Sequence, residues 1–221
     1  MDEYKDPYEG RAIYDDHATA IDDHLSKFYK EDEITVFHEI VSLDFHLDVY
    51  FVQSEDHNFN ILLTAGMSSM AMQLQNGIDE PEQYMFAELM LLLPKSIEFG
   101  TVHNKDSQNG WIISMLKQTA RFPHHYDTWL GVGHSIQNDA AGNPYQERSK
   151  YYGAVVLPSV TFEEDFTVVK VGDHLINIYS LFPLHKKELQ FKIDNGYNEL
   201  LNLLIDQDVK EIFELEREGL V

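Results

Sequence analysis

Three side chains that could bind a metal ion alternate along one short segment of the chain. Asp44, His46 and Asp48 occupy every second position, and residues spaced in this way point to the same side of a β-strand. Because imidazole and carboxylate groups are ligands for Zn²⁺ and Mn²⁺, one hypothesis is a metal-dependent hydrolase that uses this strand face. The same row is typical of the solvated face of an amphipathic strand, and no neighbouring ligand pair completes a site. We therefore predict no bound metal and no cofactor.

Nucleophilic catalysis would need an activated serine beside a histidine and an acid. Ser68 and Ser69 follow a predicted strand, and His124, His125 and Asp127 could supply a base and an orienting carboxylate. The serine loop does not have the G-x-S-x-G pattern of a nucleophile elbow, and hydroxyls in such loops usually satisfy local main-chain groups. We therefore predict that the protein is not an enzyme and has no catalytic residues.

Charge is the strongest compositional signal. The chain has 16 Lys and Arg residues against 38 Asp and Glu residues, which gives a formal net charge of −22. A surface this acidic repels nucleic-acid phosphates and anionic lipids and attracts basic proteins, although acidity alone also favours solubility. The Gly131-Val132-Gly133 sequence follows a predicted helix instead of opening one, which disfavours a phosphate-binding loop. We expect a protein partner of basic character, and neither nucleic acid nor membrane.

The 221 residues include no cysteine, which excludes disulfides, thiolate metal sites and a cysteine nucleophile. The N-terminal residues have neither the basic nor the apolar region of a signal peptide, and the longest apolar run, 89–93, is too short for a membrane span. We expect a soluble cytoplasmic protein whose oligomeric state stays open. Its predicted parts are an N-terminal extension at 1–10, one domain at 11–205 and a C-terminal helix at 206–221 packed on that domain.

Hydrophobic periodicity predicts the elements that position these residues. Apolar spacings of three and four predict a helix over 11–30, and alternation predicts a strand over 44–51. A continuous apolar run at 88–93 predicts a central strand that is buried on both faces. The irregular order of elements is typical of an α/β (α+β) fold, a mixed β-sheet flanked by helices. Further strands are predicted at 34–40, 59–64, 153–157, 166–171 and 175–182. Further helices are predicted from residue 111 to Pro123, after Pro183 with a break at Gly196, and at 208–217.

The run from Ala120 to Ile136 is the least ordinary stretch of the chain. It combines Phe, Tyr, Trp and three His with one Pro and two Gly. One interpretation is a buried loop that closes a sheet edge. The other is a recognition surface, because Tyr and Trp are favoured anchors in protein interfaces.

This run resembles the central signature of the Suppressor of fused domain family. Further segments match in the order expected for that family, and together they cover about residues 11–205. A single segment would be weak evidence, whereas the ordered set is specific. The segments are Phe37-His38-Glu39-Ile40, His46-Leu47-Asp48-Val49, Leu63-Thr64-Ala65-Gly66-Met67-Ser68, Glu88-Leu89-Met90-Leu91-Leu92-Leu93-Pro94, Trp111-Ile112, Ile176-Asn177-Ile178-Tyr179 and Pro183-Leu184.

The resemblance implies an α/β domain that binds protein without catalysis. In the animal members such a domain is joined to a second one, and the pair clamps a peptide of a transcription factor, which adds as a β-strand. The chain is too short for that second domain, and it resembles the stand-alone bacterial form of the family. For that form, the resemblance suggests an immunity protein that binds and neutralises a cognate polymorphic toxin.

The resemblance also implies which residues face a partner. Phe122 keeps the aromatic character of a peptide-facing position, whereas Gly133 stands where the animal members have an acidic residue. We select Phe122, Tyr126, Asp127 and His134 as the candidate protein-binding residues.

Overall fold

A computed structural model of the chain describes residues 11–42, 44–104, 106–147 and 149–221. The predicted extension at 1–10 lies outside the described residues. The strands are β1 (Ile34–Phe37), β2 (Asp48–Val52), β3 (Phe59–Ala65), β4 (Phe86–Pro94), β5 (Ser135–Gln137), β6 (Tyr151–Leu157), β7 (Val168–Val171) and β8 (His174–His185). The helices are α1 (Asp15–Leu25), α2 (Phe99–His103), α3 (Trp111–His125), α4 (Glu164–Thr167), α5 (Lys186–Asn195) and α6 (Tyr197–Asp206).

The strands form one sheet in the order β1-β2-β3-β4-β8-β6-β5, and β7 pairs with β8 beside this path. β4 and β8 are parallel, whereas the other paired strands are antiparallel. β1 and β5 therefore lie at the two ends of the sheet. This mixed sheet with flanking helices confirms the predicted fold class.

The central strand β4 joins the two halves of the core. Its residues from Phe86 to Leu93 are all buried, as the continuous apolar run predicts. Because side chains alternate along a strand, Leu91 packs into the cluster on one face and Leu92 into the cluster on the other. Each buried leucine stabilises the fold by roughly 1.5–3 kcal/mol.

Helices cover both faces of the sheet. On one face α3 contributes Ile112 and Leu116, which share its buried side, and on the other α1 contributes Ile21 and Leu25. α5 and α6 cover the β6 end, and Gly196, with a φ of +93°, separates them as the sequence predicts. No helix within the described part of the chain is long and apolar enough to cross a membrane.

Two predicted helices have wrong boundaries. The first helix is shorter than residues 11–30, because α1 begins at Asp15 and ends at Leu25. Pro123 does not end α3 but lies within its last turn. Proline lacks an N–H donor of its own, yet the turn is held by the buried His124, whose Nε2 donates to the Met67 carbonyl at 2.9 Å.

The helix predicted at 206–221 is wrong as well. α6 ends at the start of this segment, and the described residues after it form turns and irregular backbone. Within this segment Glu211 accepts a hydrogen bond from the Val160 N–H at 2.9 Å. Phe213 is fully buried, and its N–H donates to the Leu92 carbonyl at 2.8 Å. The segment therefore packs on the domain without being helical.

Candidate functional site

The C-terminal end of α3 presents a pair of aromatic rings. Phe122 lies in the last turn and Tyr126 directly follows the helix, and a spacing of four places both on the same face. Their ring centroids are 4.6 Å apart. Phe122 is half-buried against the core, whereas Tyr126 is 69% exposed. An exposed tyrosine supported by a second ring offers a partner both apolar area and a hydroxyl group.

Asp127 turns the chain away from α3. Its φ of +49° lies in the left-handed region, which Asp adopts more readily than most residues. Its carboxylate forms an ion pair with Arg11, and the Arg11 guanidinium also donates to the His124 carbonyl at 3.0 Å. The Asp127 side chain is 72% exposed, so a basic group of a partner can reach it.

His134 lies at the far end of the same loop, directly before β5. Its ring packs edge-on against Trp129 with centroids 4.4 Å apart, and its Nδ1 accepts a hydrogen bond from the Gly131 N–H at 3.3 Å. Burial lowers the pKa of His134, so the ring is neutral near pH 7. Its carbonyl accepts a hydrogen bond from the Val156 N–H at 2.8 Å. His134 therefore fixes the shape of the loop where β5 begins.

Gly133 occupies a position that disfavours any side chain. Its φ of +88° is in the region that favours glycine. A Cβ atom added there would lie 3.1 Å from Cγ of Tyr197. A side chain at position 133 would therefore be strained by the backbone and would press on Tyr197.

β5 ends the sheet with one open edge. It pairs with β6 through the register Ser135↔Val155, Ile136↔Ala154 and Gln137↔Gly153. The Val156 N–H donates to the His134 carbonyl and the Asn138 N–H donates to the Tyr152 carbonyl. Because inward and outward residues alternate in an antiparallel ladder, positions 134, 136 and 138 bond inward. The main-chain groups of Ser135 and Gln137 therefore point away from β6. Among the described residues, no strand bonds to them on that side.

The four candidate binding residues fall into two groups. Phe122 and Tyr126 contact each other and are followed by Asp127, whereas His134 contacts Trp129. Trp129 is also packed edge-on against Tyr84, at 6.1 Å. Sequence reasoning missed Tyr84, because it comes from a distant segment that carries no local signal for this loop.

The predicted row of metal ligands is divided. His46 Nε2 lies 2.8 Å from Asp48 Oδ1, but Asp44 turns to α3 and pairs with Arg121 and His125, at 3.2 and 2.9 Å. Burial alone would raise the pKa of Asp44, but the Arg121 charge and the hydrogen bonds from Arg121 and His125 hold it below its usual value. The chain bends at Asp44, so the prediction that all three side chains share one strand face is wrong.

The serine loop is part of the core. Ser68 is fully buried, and its hydroxyl donates to Glu88 at 2.7 Å. His124 bonds the Met67 carbonyl of the same loop. These groups stabilise the loop, and Ser68 is not accessible to a substrate.

Comparison with known proteins identifies relatives of this fold. The family model for Suppressor of fused protein matches residues 44–218, and no curated protein matches the sequence. A Suppressor of fused homologue from Neisseria gonorrhoeae is similar in structure, with a TM-score of 0.67 and 16% identity over 93% of this chain and 97% of that chain.

Two further structures share the fold. One chain of the Sufu–Fu complex has a TM-score of 0.62 and 13% identity, over 95% of this chain and 93% of that chain. Drosophila Suppressor of Fused has a TM-score of 0.61 and 14% identity over 92% of this chain. The present chain covers 51% of the Drosophila chain, so it corresponds to about half of that protein.

Proposed function

This chain belongs to the Suppressor of fused family, and we propose that it is a non-enzymatic domain that binds another protein at the open edge of β5. The observation that carries the proposal is the orientation of the Ser135 and Gln137 main-chain groups, which have no strand beside them among the described residues. An added strand would satisfy these donors and acceptors. Main-chain pairing supplies affinity in this mode of recognition, and side-chain pockets supply specificity.

The aromatic pair at the C-terminal end of α3 supports a protein-binding role. Tyr126 is exposed and rests on Phe122, which is the arrangement expected of an interface anchor. Asp127 adds an accessible carboxylate. A partner segment with an apolar residue followed by a basic one fits these two groups.

Charge indicates the kind of partner. With a net charge of −22, the domain attracts basic proteins over distances comparable to the Debye length, about 8–10 Å at physiological salt. Many nucleic-acid-degrading toxin domains must themselves be basic to bind phosphates. We therefore propose a cytoplasmic immunity protein that neutralises a basic toxin domain.

The experiment is co-expression with the protein encoded by the adjacent gene. We expect rescue of growth and co-purification of a stable complex. A toxic neighbour that is neither bound nor neutralised would contradict the immunity function, and binding without rescue would retain the binding role alone. Increasing the salt concentration should slow association more than it speeds dissociation, because charge mainly steers encounter.

A further inference from the structure

A second group of polar side chains lies at the opposite end of the sheet from β5. In the β1–β2 hairpin Phe37 pairs with Val49, so the next positions, His38 and Asp48, face each other. His38 Nδ1 lies 2.8 Å from Asp48 Oδ2, and His46 Nε2 lies 2.8 Å from Asp48 Oδ1. One ligand atom from each of the three residues lies within 4.8 Å of the others.

We propose that His38, His46 and Asp48 bind one Zn²⁺ ion. Two imidazoles and one carboxylate form a ligand set that Zn²⁺ uses, at metal–ligand distances of roughly 2.0–2.2 Å. Small rotations of the two histidine rings bring their nitrogens to these distances, because His38 and His46 are 71% and 58% exposed and are not confined by packing. A water molecule completes the tetrahedron from the solvent side.

The surroundings of Asp48 support a built site. Its side chain is only 15% exposed, and its Oδ1 accepts a hydrogen bond from the Glu39 N–H at 2.9 Å. Such outer contacts orient a metal-binding carboxylate. The Glu39 carboxylate itself is engaged by Lys117 and Arg121, at 3.2 and 2.6 Å, so it does not compete for the ion.

The ion would tie together the two ends of the connection between β1 and β2. His38 follows β1, whereas His46 precedes β2 and Asp48 begins it, so coordination closes the intervening loop. Stabilisation then follows from mass action, because the ion binds the folded hairpin and not the dispersed ligands. This role is independent of partner binding at β5, and no hydrolytic step is part of it.

The test is a titration of metal-free full-length protein with Zn²⁺, followed by calorimetry and by thermal unfolding. We expect one saturable site per chain and a Zn²⁺-dependent rise in Tm. The acidic surface will also attract ions diffusely, so Mg²⁺ serves as the comparison ion and should give neither effect. Equal responses to Zn²⁺ and Mg²⁺, or no saturable site for Zn²⁺, would overturn the proposal.

Variants locate the site. Asp48→Asn keeps an oxygen for the Glu39 N–H but loses the charged ligand, and His46→Gln removes an exposed ligand. Since loss of an outer contact alone lowers metal affinity about 10–100-fold, each variant should weaken Zn²⁺ binding by at least about 100-fold. His103→Gln is the matched control, because His103 is an exposed histidine outside the set. If Asp48→Asn and His46→Gln bind Zn²⁺ as tightly as His103→Gln does, other histidines hold the ion and the assignment is wrong.

Discussion

Glu88 Oε1 accepts hydrogen bonds from both the main-chain N–H and the hydroxyl of Ser68, at 2.9 and 2.7 Å, in the buried centre of the sheet. The same carboxylate accepts further bonds from the Gly66 N–H at 2.9 Å and the Thr64 hydroxyl at 2.6 Å. Burial raises the pKa of Glu88, and these donors oppose the rise. The loop that contains Ser68, which could be taken for a catalytic serine loop, is thus organised around the buried carboxylate of Glu88.

Glu88→Gln tests this organisation. The groups around the carboxylate are donors, so the new NH₂ group would face N–H and O–H groups without an acceptor. We expect the free energy of unfolding to fall by about 1–3 kcal/mol, the usual cost of an unsatisfied buried polar group. Urea unfolding measures the change, and Glu98→Gln, at an exposed position, should leave the midpoint unchanged. Equal midpoints for both variants would mean that the acid is not needed for the loop.

Buried histidines should make the fold sensitive to mild acid. Burial lowers the pKa of His124 from 6.5 to about 4, and it also lowers the pKa of His17 and of His24. The unfolded chain therefore binds protons that the folded chain does not, so stability is complete above about pH 6.5 and falls as the pH approaches 4. The His124 shift alone corresponds to about 3 kcal/mol.

Urea unfolding between about pH 7 and pH 4.5 checks this prediction. His124→Gln should flatten the pH dependence, because its amide can still donate to the Met67 carbonyl but does not titrate. His103→Gln should keep the wild-type slope. A stability that is constant over this range would show that the buried histidines do not govern acid unfolding.

Some elements of this fold can be predicted from their local sequence pattern, whereas others depend on contacts between residues that are far apart in the chain. The apolar run of β4 and the break at Gly196 are readable from sequence because their causes are local. The separation of Asp44 from His46 and Asp48 cannot be read from the sequence, because its cause is the pairing of Asp44 with Arg121, which lies 77 residues further along. The approach of His38 to Asp48 likewise depends on hairpin register, which spacing alone does not give. For the same reason the sequence drew attention to the run from Ala120 to Ile136 but did not show that β5 has an open edge.

The C-terminal segment should depend on a buried ion pair. Arg217 contacts both oxygens of Glu188 at 2.5 and 2.7 Å, and Glu188 is fully buried. Burial alone would raise the pKa of Glu188, but the hydrogen bonds and the charge of Arg217 lower it below its usual value. Arg217→Ala leaves the buried carboxylate without its cation, so we expect a loss of about 3–5 kcal/mol in unfolding free energy. Arg217→Met combined with Glu188→Gln should recover part of the loss. An unchanged stability for Arg217→Ala would show that other contacts, such as those of Phe213, hold the segment.

The aromatic pair should contribute directly to partner binding. Tyr126→Ala removes the exposed ring but leaves the half-buried Phe122 in place. We expect at least about 10-fold weaker binding to the protein encoded by the adjacent gene, which corresponds to about 1.4 kcal/mol. Calorimetry measures the affinity, and thermal unfolding should show the wild-type Tm. Wild-type affinity in this variant would place the contact elsewhere.

Gln137→Pro is the sharpest test of strand addition at β5. The Gln137 N–H points away from β6, so proline removes a donor that the sheet itself does not use and that an added strand requires. Edge strands tolerate proline, and the fold should therefore persist. Gln137→Ala is the matched control, because it also loses the side-chain bond to the Asp139 carbonyl but keeps the N–H. We expect the proline variant to bind the protein encoded by the adjacent gene at least about 10-fold more weakly than the alanine variant. One main-chain hydrogen bond is worth about 0.5–1.5 kcal/mol, and the proline ring also blocks the close approach of a partner strand. Equal affinities for the two variants would show that the partner does not pair with this edge.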